Sequence, residues 1–281
     1  MATLEDYNHL IRFNLWVPVL AIFIIGYLSA RTLFFGPGFF IGAAIVILMT
    51  SASITVNHYY DYEFDRKSKD IHRFPVARGK VSRRSAMILS LIFLNLSLAL
   101  SFFLNTTSQL IILAGIFFVF SYSVPPIRMK TKKILGVIWN GIGYGFFPFY
   151  LAVSILDRPI NTYMFLLSLI PFLITASGHI LLQVRDIPFD RKTKLTTTSA
   201  IYGKNAIIKA SRIMIALAGL LIIYLWLIRF LNFFALFSIL AGVLIVYEHK
   251  KMKEIKDITE RFRTLQILYL TGGILFILSV L

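Results

Sequence analysis

Runs of about 20 consecutive apolar residues recur from one end of this chain to the other, and each is long enough to cross the hydrocarbon core of a bilayer. Nine can be read, at roughly 10–30, 38–60, 85–104, 109–124, 134–155, 162–184, 207–228, 230–247 and 264–281. Lipid offers no partner for backbone N–H and C=O groups, so each run must satisfy its own hydrogen bonds as a helix. The expected fold is therefore an all-α polytopic membrane protein with about nine transmembrane helices. Hydrophobic residues make up 58% of the chain, against about 45–50% in a soluble domain. No shift in composition marks a separate soluble part, and the loops are too short to hold one. Residues 1–281 read as a single transmembrane domain.

The net charge of +16 raises the question of nucleic acid, and the distribution of that charge answers it. Of the 29 Lys and Arg residues, 25 fall in segments 66–84, 128–133, 185–212 and 250–263, after the second, fourth, sixth and eighth runs. The intervening segments carry only Arg31, Arg158 and Arg229, and Arg12 precedes the first run. This alternation is the positive-inside pattern. It places the N-terminus and the four basic loops in the cytoplasm and, with nine spans, the C-terminus outside. A multi-pass protein of the cell membrane is expected, its basic loops attracted to anionic headgroups, with no nucleic-acid partner. The first run lacks a small-x-small cleavage site and is followed by further spans, unlike a secretory leader. With no cysteine, disulfides and thiolate metal sites are excluded.

Against this background two stretches stand out. Asp61-Tyr-Glu-Phe-Asp65-Arg-Lys-Ser-Lys69 and Asp186-Ile-Pro-Phe-Asp190-Arg-Lys-Thr-Lys194 match at six of nine positions. They hold five of the chain's 13 acidic residues, and each closes a long apolar run. Carboxylates at a membrane boundary are costly and usually functional. Asn57, Asp61 and Asp65 are spaced four apart, about 40° of helix turn per step, so they share one face; Ser53 extends it one turn deeper. His179, Gln183 and Asp186 share a face in the same way. Pro188 is expected to bend or end the second helix, leaving Asp190 on the first turn of the loop, whereas the first word continues its helix.

Four aspartates facing each other across a bundle would repel strongly, so the pairs imply divalent cations. An all-oxygen ligand set favours Mg²⁺, or Mn²⁺, over Zn²⁺. Taken singly, each aspartate could be no more than an interfacial helix terminus; it is the repetition that argues for a site. Two loops add basic groups. Residues 71–82 carry Arg73, Pro75, Arg78 and Gly79 and end on Ser82, a candidate helix cap. Residues 121–133 carry Tyr122, the tandem Pro125-Pro126, Arg128 and Lys130, the last two able to reach a phosphate. Both are also what positive-inside loops look like. The Gly136/Gly141/Gly143/Gly145 series points to close helix packing or a bend, and Asn140 to an interhelical hydrogen bond.

Asn57-x-x-x-Asp61-x-x-x-Asp65 with Asp186-x-x-x-Asp190 resembles the UbiA-type intramembrane prenyltransferases. Arg73-x-Pro75…Arg78-Gly79-Lys80-Val81-Ser82 is similar to that family's R-P-x-x-S-G-x-I-S, and Asp190 to Gly203 to its D-x-x-x-G-x-x-T-L-A-x-x-x-G. Nine spans with an outside C-terminus also fit. The sequence departs from the pattern at His58, Ala77, Phe189 and Lys194-Leu-Thr. The resemblance implies helices around a central cavity and Mg-assisted transfer of a polyprenyl group from an allylic diphosphate to a lipid-soluble or aromatic acceptor. Asn57, Asp61, Asp65, Asp186 and Asp190 would hold two Mg²⁺. Arg128 and Lys130, with Arg73, would neutralise the diphosphate, and Tyr122, His179 and Gln183 would contact substrate. The loop Tyr122-Ser-Val-Pro125-Pro126-Ile-Arg128-Met-Lys130 is similar to the chlorophyll-, tocopherol- and carotenoid-type branches. Quinone-ring, glycerol-phosphate lipid and carotenoid acceptors all remain open. The same acidic pairs would also serve a membrane transporter or a non-catalytic prenyl-lipid-binding protein.

Overall fold

The computed structural model describes residues 3–68, 71–192, 195–252 and 255–281. Lys69, Thr193 and Lys194, the ends of the two acidic words, lie outside the described residues. The described elements are helical. A short α1 (Leu4–Ile11) precedes α2 (Trp16–Ser29), α3 (Pro37–Tyr60) and the single turn α4 (Tyr62–Asp65). Then come α5 (Arg83–Ser101), α6 (Thr106–Ser123), α7 (Ile134–Gly141), a π-helical turn (Ile142–Phe146) and α8 (Phe147–Ile155). The chain finishes with α9 (Thr162–Lys192), α10 (Thr198–Leu227), α11 (Phe234–Lys250) and α12 (Ile255–Val280). Eight helical segments among the described residues are long and apolar enough to cross a membrane. The eighth apolar run forms α11, which is 17 residues long.

Local chemistry sets the helix starts. Ser82, Asn105 and Thr197 cap α5, α6 and α10 by accepting from the N–H of Ser85, Ser108 and Ala200, each satisfying a donor the helix itself cannot. Ser82 is the cap expected from the sequence. Pro37 sits in the first turn of α3, where its missing N–H costs nothing. Gly203 (φ +78°, ψ 166°) breaks α10 near its start, a conformation open essentially to glycine alone.

The helices close on themselves: α3 packs on α5, α9 on α10 and α11 on α12, and α12 returns to α2. Water-driven collapse is weak between helices in lipid, so small residues and interhelical hydrogen bonds hold such bundles. Ser177 of α9 meets Ser211 of α10 at 2.8 Å, Ser108 of α6 meets Ser154 of α8 at 2.8 Å, and Ser90 of α5 donates to the Ala52 carbonyl of α3 at 2.9 Å. The glycine series acts as expected at two positions: Gly141 and Gly145 lie against Phe172 of α9, where a Cβ on Gly145 would fall 2.7 Å from the Phe172 Cα. The π turn, Ile142–Phe146, follows Gly141 and includes Gly145. Outward faces carry exposed Leu220, Leu227 and Val243, as lipid contact requires.

Two expectations about the acidic words are reversed. The first word does not continue its helix: α3 stops at Tyr60, and Asp61 (φ −93°, ψ 0°) joins it to α4. The i→i−4 bonds from Asp61 to Asn57 and from Asp65 to Asp61 persist across the break, so the three side chains keep one face. The second word does not leave its helix: α9 runs through Pro188 to Lys192, and Asp190 is a buried helical residue, 5% exposed. Proline removes only its own N–H from the ladder, and a helix packed among neighbours tolerates that loss.

Candidate active site

The site is built where the end of α3, the α6–α7 loop and the end of α9 meet. Pro125-Pro126 is a cis peptide, and Arg128 follows in the left-handed region at φ +37°. From this loop Arg128 and Lys130 reach the end of α3. Arg128 donates to Asp61 Oδ1 at 2.9 Å, and Lys130 Nζ pairs with Asp61 Oδ2. Lys130 also donates to Asn57 Oδ1 at 2.5 Å, and Ser123 Oγ donates to the same oxygen at 3.0 Å. Asp61, Arg128 and Lys130 have side chains 13–20% exposed. The Phe64 ring covers the Arg128 guanidinium at 5.0 Å. Burial pushes the Lys130 ammonium pKa down, opposed by Asp61 beside it.

Asp65, on the same face, has a partner of its own: its Oδ2 lies 3.8 Å from Nδ1 of the buried His58. The far nitrogen, Nε2, lies 3.4 Å from the His9 carbonyl of α1. Burial pushes the Asp65 carboxyl up, with Asp61 adding to the rise and His58 opposing it. The loop that contains Arg73 sits over this corner: Phe74 packs edge-on against His58, and Arg78 pairs with Asp6 of α1. Arg73 itself is half-buried on a 3₁₀ turn, Ile71–Arg73.

On α9, Tyr122 of α6 and Gln183 both contact His179 Nε2, at 3.3 and 2.9 Å. The three residues chosen as substrate contacts thus form one chain of polar groups. Asp186 is paired with Arg185 at 3.0 Å, and its side chain is 47% exposed. Asp190 accepts from Thr197 Oγ1 at 2.6 Å. The α9–α10 connection docks on the α6–α7 loop through Thr196 to the Thr131 carbonyl and Thr198 to the Lys133 carbonyl, at 2.8 and 2.7 Å. The α6–α7 loop thus touches the end of α3 through Arg128 and Lys130 and the α9–α10 connection through Thr131 and Lys133, which brings the two acidic words to one region. They do not converge on one point: among the described residues no three acidic or His side chains group closely enough to hold a metal unaided. Each carboxylate has its own partner, as mutual repulsion favours.

Beneath the polar layer a cleft runs between α3, α6 and α7, walled by Phe118, Tyr122, Trp139, Tyr144 and Phe147. Ser53, one turn below Asn57, lies at its edge within 3.5 Å of the Tyr144 hydroxyl. Asn140 also lines it, a place that sequence reasoning had given to a helix–helix bond. Sequence reasoning missed Ser123 and Thr197, since isolated hydroxyls carry no signal until the fold sets them against Asn57 and Asp190. His58 was visible only as a departure from a pattern.

The sequence profile of the UbiA prenyltransferase family matches residues 15–272. The chain belongs to that family. Among curated UbiA-type relatives, a digeranylgeranylglyceryl phosphate synthase of Methanosphaera stadtmanae is 26% identical over 211 residues, 74% of each chain. One from Pyrococcus abyssi is 29% identical over 160 residues, which span 57% of this chain and 55% of that protein. A 4-hydroxybenzoate octaprenyltransferase of Serratia proteamaculans is 25% identical over 256 residues, 88% of this chain and 85% of the relative. A UbiA homolog from Archaeoglobus fulgidus, solved bound to GPP and Mg²⁺, superposes with a TM-score of 0.72 at 22% identity over 97% of this chain and 99% of its own. A homolog from Aeropyrum pernix gives 0.75 at 22% identity over 93% and 94%. The fold is therefore that of the UbiA proteins along nearly the whole chain.

Proposed function

We propose that this chain binds an allylic polyprenyl diphosphate at the cytoplasmic membrane boundary and transfers its prenyl group to a hydrophobic acceptor. Membership of the UbiA prenyltransferase family makes it a prenyltransferase. The observation that carries the assignment of the site is the junction of Asn57, Asp61, Arg128 and Lys130 above an aromatic cleft. There, oxygen ligands and phosphate-binding cations sit together beside a narrow cleft of about 40 Å³ lined by aromatic rings. Nine spans, a cytoplasmic N-terminus, an outside C-terminus and a location in the cell membrane follow from the alternation of basic loops.

The donor set fits a hard divalent cation. Asn57 Oδ1 and Asp61 Oδ2 already converge on one positive atom, Lys130 Nζ, and all five candidate ligands offer oxygen. Asn57, Asp61 and Asp65 would hold one Mg²⁺ and Asp186 and Asp190 a second; the choice of Mg²⁺ is supported by a relative solved with GPP and Mg²⁺. Bound Mg²⁺ neutralises the diphosphate and stabilises it as a leaving group. Lys130 and Arg128, with Arg73, bind its oxygens. The C1–O bond breaks with its electron pair leaving on the diphosphate. The cleft rings of Phe118, Tyr144 and Phe147 shelter the allylic cation from water and face it with their π systems. The acceptor nucleophile bonds to C1 and loses a proton. His179, held between Tyr122 and Gln183, orients the acceptor from the α9 side. The prenyl tail leaves the cleft sideways into the bilayer.

The deciding experiment supplies labelled geranylgeranyl diphosphate to the purified protein with native membrane lipids and identifies the product by mass spectrometry, with Mg²⁺ or EDTA. A prenylated product with Mg²⁺-dependent diphosphate release supports the proposal. Ion flux in liposomes with no prenylated product would replace it with the transporter reading.

A further inference from the structure

On the side of α3 away from Asn57 and Asp61 lies a second basic feature that the proposed prenyl transfer does not use. Tyr59 is two residues from both Asn57 and Asp61, about 200° round the helix, so it faces outward. It forms one wall of a surface groove of about 450 Å³, completed by Arg83, Arg84, Met87 and Ile88 of α5. The Arg83 guanidinium is held over two rings, 4.8 Å from Tyr59 and 4.9 Å from Tyr62. Arg66 covers the Tyr62 ring at 5.4 Å. Among the described residues no carboxylate pairs with Arg83 or Arg84. Stacking fixes the plane of a guanidinium and leaves its edge N–H groups for an acceptor.

Below the arginines the floor is apolar and continues down the helix. Ile88, Leu91, Ile92 and Leu96 are 47, 42, 47 and 47% exposed along a segment apolar enough to span the membrane. A polar head matched to arginine at one end and an open hydrocarbon track at the other describe a single kind of occupant. We propose that this groove is a binding site for an anionic phospholipid of the cytoplasmic leaflet. The phosphate sits against Arg83 and Arg84, and an acyl chain lies along Met87, Ile88 and Leu91. Charge complementarity selects the headgroup, and a phosphate accepts the paired N–H donors of arginine well. The site lies on the outer surface, so it is separate from the diphosphate site.

The test uses the full chain in phosphatidylcholine nanodiscs doped with phosphatidylglycerol or phosphatidylcholine that carries a photoreactive diazirine acyl chain. Crosslinked peptides are mapped by mass spectrometry. Labelling at Met87–Ile88 should favour the anionic probe, by about fivefold for each arginine engaged. Labelling at Val243–Leu244 of α11 should show a smaller preference. Arg83→Gln with Arg84→Gln should bring the two positions to the same ratio. Equal labelling by both probes in the wild-type chain overturns the proposal, and needs no variant to fold. So does displacement of the label by inorganic phosphate, which would mark a soluble-anion site, or chain-to-chain crosslinks through Met87, which would mark a contact between copies.

Discussion

Asp61→Asn separates the electrostatic from the catalytic role of the site. The Asp61 carboxylate holds two buried cations, Arg128 at 2.9 Å and Lys130. Asparagine keeps the shape and one acceptor oxygen and removes the charge, so both cations lose their counterion. Breaking a buried pair from one side costs about 3–5 kcal/mol. With side chains 13–20% exposed, solvent screening brings this toward the lower end, about 3 kcal/mol. Thermal unfolding in liposomes should register that loss. Turnover should fall further than stability, because a ligand that stabilises the departing diphosphate is gone; about 10²–10³-fold in kcat is the scale for one such interaction. Adding Lys130→Met removes one of the two orphaned charges and leaves Arg128, so the double variant should regain part of the lost stability. It should not regain turnover, since the proposed site also uses Lys130 to bind diphosphate. Diphosphate release from geranylgeranyl diphosphate, measured beside unfolding for the four proteins of the cycle, gives both quantities. Near-wild-type turnover in Asp61→Asn, or turnover that returns with stability in the double variant, would refute the assignment.

Other consequences can be read the same way. Thr197→Val removes the 2.6 Å donor to Asp190 and leaves the ligand itself in place; the half-saturating Mg²⁺ concentration should rise about 10-fold, read from Mg²⁺ titrations of turnover. Burial raises the Asp65 pKa, so protons compete with metal there from above the ordinary carboxylate range. Half-saturating Mg²⁺ should therefore climb as pH falls through that window and level off above it, and a flat dependence would remove Asp65 from the ligand set. Gly203→Ala forces a side chain into φ +78° and should cost about 1–3 kcal/mol in thermal unfolding, with the Mg²⁺ requirement unchanged.

Much of the bundle was legible in the chain because lipid imposes simple demands. Apolar runs of sufficient length must become helices, and eight of them do so among the described residues at lengths that can cross a membrane. Ser82 as a cap and Gly141 and Gly145 as packing positions follow from equally local rules. The twin aspartates were legible for a related reason: acids are so scarce in this chain that two copies of one acidic word cannot pass as ordinary surface. Residue spacing also placed Asn57, Asp61 and Asp65 on one face, and the structure keeps them there across a break that spacing did not anticipate.

The partners of those groups belong to the tertiary structure. Local rules put a bend or an end of the helix at Pro188, with Asp190 on the loop, and continuity at Asp61; instead α9 carries Asp190 on to Lys192 and α3 stops before Asp61. Around α9 the packing outweighs a single missing N–H, and at Asp61 the α6–α7 loop folds back onto the end of α3. Lys130 and Ser123 reach Asn57 from 73 and 66 residues away, and Thr197 reaches Asp190 only because the α9–α10 connection docks on Thr131 and Lys133. The sequence by itself determined the helices and picked out the paired acids that the proposed site is built on. Which cation and which hydroxyl each acid meets depended on how distant segments come together. Hydropathy and helical spacing are properties of neighbouring residues, whereas a charge in a low-dielectric interior is settled by whatever the whole fold brings within a few ångströms of it.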